Sequence, residues 1–218
     1  FLNGIIKYNL IKFLNFLEPL KGPLSENGYI KLSKNNIPYF DSENELESIK
    51  KIVEFAFKNT EVLDYIKKYL FKPKLDQIRI ISSPLVFNND QTIWHHDSCG
   101  HRIKLYIGLD VDVTGDVYTE ILPKTNRNTY FDYNFTRISL THEEKMINSR
   151  KIFLKKGDIF LFDTNMIHRG HYSSNNTRKL IEIEFSSLFR GFLLPGKIGR
   201  KKNRRENNLL DRCDIKIQ

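Results

Sequence analysis

Cysteine is scarce in this 218-residue chain: Cys99 and Cys213 are the only two. Two well-separated cysteines exclude a disulfide framework, and a reducing, intracellular setting such as the cytoplasm is expected. No apolar run approaches the ~18 residues of a membrane helix, so no membrane partner is expected. The opening FLNGIIKYNLIKFLNFL is broken by Lys7, Asn9, Lys12 and Asn15 and lacks a small-residue cleavage site. It reads as an amphipathic helix, not as a signal peptide. The chain opens on Phe1 and not on Met, so its natural N-terminus is expected to lie upstream. Internal repeats are absent, which excludes a solenoid.

Acidic residues are outnumbered, 26 Asp and Glu against 35 Lys and Arg, leaving a formal charge of +9. Such an excess favours anionic partners: nucleic acid, phosphorylated metabolites or an anionic small molecule. Much of it sits in Lys197–Arg205, where six of nine residues are basic. That segment, within a tail over 196–218, reads as solvated and solubilising. Binding of nucleic acid through phosphate contacts is the competing reading, although no stacking aromatics accompany the charges.

Hydrophobic residues make up 40% and charged residues 28%, the balance of one globular domain. Residues 1–75 read as mostly helical. Ser42-x-x-Glu45 has the capping-box pattern, followed by Leu46, Ile49, Val53 and Ala56 at helical spacing. A second helix is predicted over Glu61–Leu70, ended by Lys72-Pro73. Between Leu20 and Tyr39, Gly22-Pro23, Gly28 and Pro38 predict loop, with a short strand at Tyr29–Leu32.

From Asp76 the texture changes. Residues 77–87, 102–111, 117–122, 151–154, 158–163 and 179–189 are rich in Ile, Leu, Val and Phe with period-2 alternation. Six strands with no intervening helices predict an antiparallel sandwich or barrel. The polar stretch Thr125–Ser149 reads as a long insertion of the lid or binding-loop kind, with one helical turn at His142–Met146.

Two clusters carry chemistry. In Trp94-His95-His96-Asp97, residues i and i+2 of a strand share a face. His95 and Asp97 then aim at one point and His96 points away, two ligands of a 2-His-1-carboxylate set. Read alone, the same residues also suit the polar end of an exposed strand. The second cluster is the strand Gly157–Asp163, then His168-Arg169-Gly170, then Arg178. His168 falls on or just past a short strand, and the next strand runs back, so His168 and Arg178 are predicted on neighbouring antiparallel strands. A guanidinium there can grip a carboxylate through two hydrogen bonds; a surface charge at a turn is the alternative. On 102–111, Lys104 and Tyr106 share a face opposite Ile103, Leu105 and Ile107. Trp94 suits either the site or a core. His101, His142, His171 and Cys99 read as ordinary surface or packing residues.

H-x-D, a 71-residue gap to His168, a G-D-I-F-L-F-D strand before it and an arginine ten residues after it together resemble the phytanoyl-CoA dioxygenase-like family of iron/2-oxoglutarate oxygenases. The resemblance spans roughly 75–190 and is strongest over 94–106 and 157–185. It implies a double-stranded β-helix (a cupin-like jelly roll): an all-β core over 76–195 with a helical flank over 1–75, forming a single domain over 1–195. It implies Fe(II) on His95, Asp97 and His168, the distal carboxylate of 2-oxoglutarate on Arg178, and dioxygen as oxidant. Lys104 and Tyr106 become candidates to hydrogen-bond 2-oxoglutarate. Because Asp97 is present, where halogenating relatives carry a small residue, hydroxylation of a small-molecule substrate is implied, with release of succinate and carbon dioxide. The segment Thr119–Arg127 resembles the family's strand leading into a Pro-Gly-Ser-His turn, but Lys124, Thr125 and Asn126 replace Gly-Ser-His, so that histidine's role is absent. DNA-repair oxygenases carry a different arginine pattern after the distal histidine. A jelly-roll domain that binds metal without turnover is the rival from another class.

Overall fold

The structure, a computed structural model, describes residues 23–33, 36–58, 60–83, 93–97, 102–111, 117–126, 148–171, 178–187 and 209. Elements run in the order α1 (Pro23–Asn27), β1 (Tyr29–Ser33), α2 (Glu45–Lys58), α3 (Thr60–Tyr69), β2 (Lys74–Ser83), β3 (Arg102–Val111), β4 (Tyr118–Ile121), β5 (Arg150–Ile152), β6 (Asp158–Asp163), β7 (His168–His171) and β8 (Arg178–Ser186). The first 22 residues, the insertion between 127 and 147, and all of the tail except Leu209 lie outside the described residues. His101, His142, Cys99 and Cys213 fall there too.

Two antiparallel sheets face each other, one of order β1-β6-β3-β8-β2, the other β5-β4-β7. His95 adds a bridge to His168, exchanging both backbone hydrogen bonds with it at 3.0 and 2.8 Å. The H-x-D segment thereby extends the small sheet beyond β7, and each sheet contributes four members of a double-stranded β-helix, β1 being an addition to the large sheet.

Alternation on the central strands explains the layering. Ile103, Leu105 and Ile107 of β3, Ile159 and Leu161 of β6, and Ile181, Ile183 and Phe185 of β8 turn one way. They pack against Ile49, Ile52, Val53 and Ala56 of α2 and Val62 and Ile66 of α3, the apolar stripes of two amphipathic helices. Each such side chain, fully buried, is worth roughly 1.5–3 kcal/mol. Tyr106, Phe160, Phe162 and Leu180 turn the other way, toward Ile121, Ile152 and Met166 of the small-sheet layer. The large sheet is thus helix-covered on one face and encloses the site on the other.

Helix α2 begins three residues later than the capping-box pattern places its cap. Asp41 organises the entry instead: its carboxylate accepts the Glu43 N–H at 2.9 Å and the Asn44 Nδ2–H at 3.0 Å. Glu45 is turned toward Lys179, 3.9 Å away. Residues 23–27, predicted as loop, form the short helix α1, closed by Gly28 at φ 82° with its N–H on Leu24 O at 2.9 Å. Strands β3 and β6 coincide with their predicted spans. β2 starts earlier, at Lys74, and β8 starts at Arg178; the predicted stretches 84–87 and 188–189 lie outside the described residues. Leu209, within the predicted solvated tail, packs against the helix-covered core and donates its N–H to Ile78 O at 2.8 Å.

Candidate metal centre

His95, Asp97 and His168 converge, their ligand atoms all within 4.8 Å of one another. His95 Nε2 stands 3.8 Å and His168 Nε2 3.9 Å from the same oxygen, Asp97 Oδ1. Cis donors around an octahedral ion with bonds of ~2.1 Å are about 3 Å apart. The observed spacing is wider by less than an ångström, leaving room for an ion between the three atoms.

Backbone geometry sets these positions. The His95–His168 bridge puts the two rings side by side, centroids 4.4 Å apart. Asp97 N–H donates to Thr164 O at 2.9 Å, seating the carboxylate below them. His96, between the two ligands, turns away and is fully buried, as alternation requires. His95 and Asp97 belong to a single bridge and its flank, not to a strand of several residues.

Both imidazoles are held in the tautomer that binds cations. His95 Nδ1 lies 2.7 Å from Ile93 O and His168 Nδ1 2.7 Å from Met166 O. A carbonyl can only accept, so each Nδ1 carries the hydrogen and each Nε2 presents a lone pair to the site. Burial drives the His168 imidazole down to about 3, His95 and Lys104 adding to the effect against Asp97, so it is neutral at physiological pH. Burial alone would raise the Asp97 carboxyl. Lys104, His168, Arg102 and His95 override it and hold the group well below the usual carboxylate range. Two imidazoles with their Nδ1 atoms engaged by carbonyls and one ionised carboxylate are the donor set of a 2-His-1-carboxylate centre, and on this chemistry the residues fit a ferrous ion.

A cavity of about 190 Å³ opens from these atoms between the sheets. Lys104 and Tyr106 both line it. Lys104 Nζ is 2.6 Å from Asp97 Oδ2 and 3.6 Å from Glu182 Oε2. Burial, with Glu182 and Asp97 adding, raises the Tyr106 phenol well above its ordinary value, so it keeps its proton. Arg178 is 3% exposed, and its Nη1 donates to Thr119 Oγ1 of β4 at 3.3 Å.

The prediction that His168 and Arg178 lie on neighbouring strands is corrected. β7 pairs with β4 in the small sheet, whereas β8 lies between β3 and β2 in the large one. The two residues line one cavity from opposite walls. A ten-residue separation suits a hairpin or a crossing between sheets equally, and the register places β8 between β3 and β2, flanked on both sides.

Several cavity residues are absent from the sequence reading. Arg102, fully buried, places Nη1 2.7 Å from Glu184 Oε1 and Nη2 3.4 Å from Asp97 Oδ2. Arg79 Nε is 2.5 Å from Glu182 Oε1. Alternation carried the signal: Arg102 shares a face with Lys104 and Tyr106, and Glu182 and Glu184 share one with Arg178. Trp94 proves to be a packing residue, clustered with Leu122 and Ile167 beneath the Arg169 guanidinium, 4.7 Å from its ring. His171 is exposed and stacks on Tyr118. At the turn after β4, Lys124 has a left-handed backbone at φ 68°. Thr125 Oγ1 donates to Leu122 O at 2.7 Å and accepts the Ile167 N–H at 2.9 Å. Asn126 is buried against Tyr69 and Asp163, so this turn now ties α3 to β6.

No family model matches the chain, and no curated protein matches it. Solved structures do. EctD from S. alaskensis, crystallised with 2-oxoglutarate and 5-hydroxyectoine, is similar with a TM-score of 0.50 at 13% identity, over 76% of this chain and 74% of that one. HygX from Streptomyces hygroscopicus, crystallised in its apo form, gives a TM-score of 0.49 at 10% identity, over 78% of this chain and 88% of that one. The first likeness shows the fold. Among the described residues, no helix is long and apolar enough to cross a membrane.

Proposed function

We propose that the chain is an Fe(II)- and 2-oxoglutarate-dependent oxygenase that hydroxylates a small-molecule substrate. The observation that carries this reading is the convergence of both Nε2 atoms on Asp97 Oδ1 in a cavity that Arg178 also lines. A metal-binding domain without turnover has no need of a buried guanidinium in the same chamber. EctD, which shares the fold, was crystallised with 2-oxoglutarate. The resemblance of the sequence pattern to the phytanoyl-CoA dioxygenase-like oxygenases supports the same reading.

His95, Asp97 and His168 would hold iron, occupying three of about six coordination positions. The bound metal supplies the site at which dioxygen oxidises 2-oxoglutarate to succinate and carbon dioxide while a substrate C–H bond is hydroxylated. The protein's contribution is to bind, orient and keep water out. Arg178 takes the distal carboxylate through its guanidinium fork, a charge-assisted pair made stronger by burial. The protonated Tyr106 phenol is a second donor to 2-oxoglutarate from the β3 wall. Lys104 lines the same wall, but its ammonium is already engaged by Asp97 and Glu182. A carboxylate at position 97, where halogenation needs an open halide position, directs the reaction to hydroxylation. Arg79, Arg102 and Lys104 are matched by Glu182, Glu184 and Asp97, so the attraction for an anionic cosubstrate is assigned to Arg178. Two cysteines and a ferrous centre suit a reducing, intracellular setting.

The test is conversion of 2-oxoglutarate to succinate by purified protein with Fe(II), ascorbate and air. The wild type should form succinate, and Asp97→Ala should lower the rate at least ~100-fold, removing an interaction on which the chemistry depends. Equal succinate formation by both proteins would overturn the assignment.

A further inference from the structure

The two oxygens of Asp97 face different surroundings. Oδ1 looks toward both imidazoles. Oδ2 is turned into the large sheet, with Lys104 Nζ at 2.6 Å and Arg102 Nη2 at 3.4 Å. We propose that Arg102 and Lys104 are positioning residues that keep Asp97 a one-oxygen ligand, holding Oδ2 so that Oδ1 alone is offered to the metal. The inference rests on the triad being a metal site.

Arg102 is itself anchored through Nε and Nη1. Its Nη1 is 2.7 Å from Glu184 Oε1 and its Nε donates to Thr164 Oγ1 at 3.1 Å. Thr164 N–H in turn donates to Arg102 O at 3.1 Å, and Thr164 O accepts the Asp97 N–H at 2.9 Å. The backbone of Asp97 is thus tied to Thr164, and its side chain faces Arg102, which Thr164 holds in turn. Lys104 is steadied by Glu182 Oε2 at 3.6 Å, and Glu182 by Arg79. Three cations and three carboxylates form a charge-balanced row across β2, β8 and β3 that ends on Asp97.

Stability does not account for such a row, because buried ion pairs are commonly matched or exceeded by apolar residues of similar volume. Control of the carboxylate does. An aspartate free to turn about its last bond can chelate an ion through both oxygens and occupy two coordination positions. With Oδ2 held, it occupies one. Three positions then stay open, the number needed by a two-point cosubstrate and dioxygen.

Bound water on Mn(II) reads this directly. Water-proton relaxivity of the Mn(II)-loaded protein, without 2-oxoglutarate, reports how many waters share the ion. The wild type should show about three on an octahedral ion. R102M/E184Q removes the guanidinium together with its carboxylate partner and orphans no charge; K104M removes the second holder. In each, relaxivity per bound Mn(II) should fall by about a third as Oδ2 takes a water's place. A merely structural role would lower the unfolding temperature and leave the relaxivity of the folded, loaded protein unchanged. Wild-type relaxivity in whichever variants fold would overturn the inference. Failure of wild-type protein to bind Mn(II) at all would overturn the metal site and this inference with it, whereas normal binding with unchanged variant relaxivity would overturn the inference alone.

Discussion

Arg178 and Thr119 join the two sheets across the interior: the guanidinium Nη1 of β8 donates to the hydroxyl of β4 at 3.3 Å. That contact fixes a guanidinium that lines the cavity. Arg178→Ala should therefore weaken 2-oxoglutarate binding by ~1.5–3 kcal/mol, the worth of a charge-assisted hydrogen bond, seen as a KM raised about ten- to 150-fold. Arg178→Lys keeps the charge but loses the fork and should recover only part of the affinity. Steady-state succinate formation against 2-oxoglutarate concentration checks it; an unchanged KM in Arg178→Ala would move the carboxylate clamp elsewhere.

Acid should destabilise the metal-free protein through His168. Burial holds its folded value at about 3, against ~6.5 in an unfolded chain. Between these values the unfolded state binds a proton that the native state refuses, so stability falls as pH drops through the window and is level above pH ~7. Asp97, held below its ordinary value, acts in the same direction at still lower pH. His168 alone should cost about 2 kcal/mol between pH 7.5 and pH 5. Urea unfolding of wild type and His168→Gln at both values measures it, and the variant should lose most of the difference. An equal pH response in the two proteins would contradict the burial of a neutral imidazole.

Gly108 sits where β3 meets the turn before β6. A Cβ there would stand 2.3 Å from the Lys155 carbonyl oxygen, while Gly157 N–H donates to Gly108 O at 3.0 Å. The obstacle is backbone, so relief requires the turn to shift. Gly108→Ala should lower stability by roughly 1–3 kcal/mol, the cost of overpacking. Thermal unfolding with the wild-type midpoint would show that the turn yields freely.

The residues show which features were legible. β3 and β6 matched their predicted spans because Ile103, Leu105 and Ile107 alternate along β3 and Ile159 to Phe162 are apolar on both faces of β6. His95, Asp97 and His168 were legible as a motif because ligand chemistry permits few residue types, and the structure brings the three together. What escaped was the partnership of sheets. His168 and Arg178 look like a hairpin pair in sequence, and only the competition of β2 and β3 for the two edges of β8 separates them. Arg102, Glu182 and Glu184 stood on the correct faces by alternation, but a charged residue on a strand ordinarily signals solvent. Only the pairing across three strands explains their burial. Asp41 displaced Ser42 as the residue organising the start of α2 because one carboxylate can serve two donors at once.

The central claim is most directly tested by anomalous diffraction from crystals grown with Mn(II) and 2-oxoglutarate without oxygen. A single anomalous peak should lie between His95 Nε2, His168 Nε2 and Asp97 Oδ1, with the cosubstrate's distal carboxylate on Arg178. No peak at that point, or 2-oxoglutarate bound away from Arg178, would contradict the account.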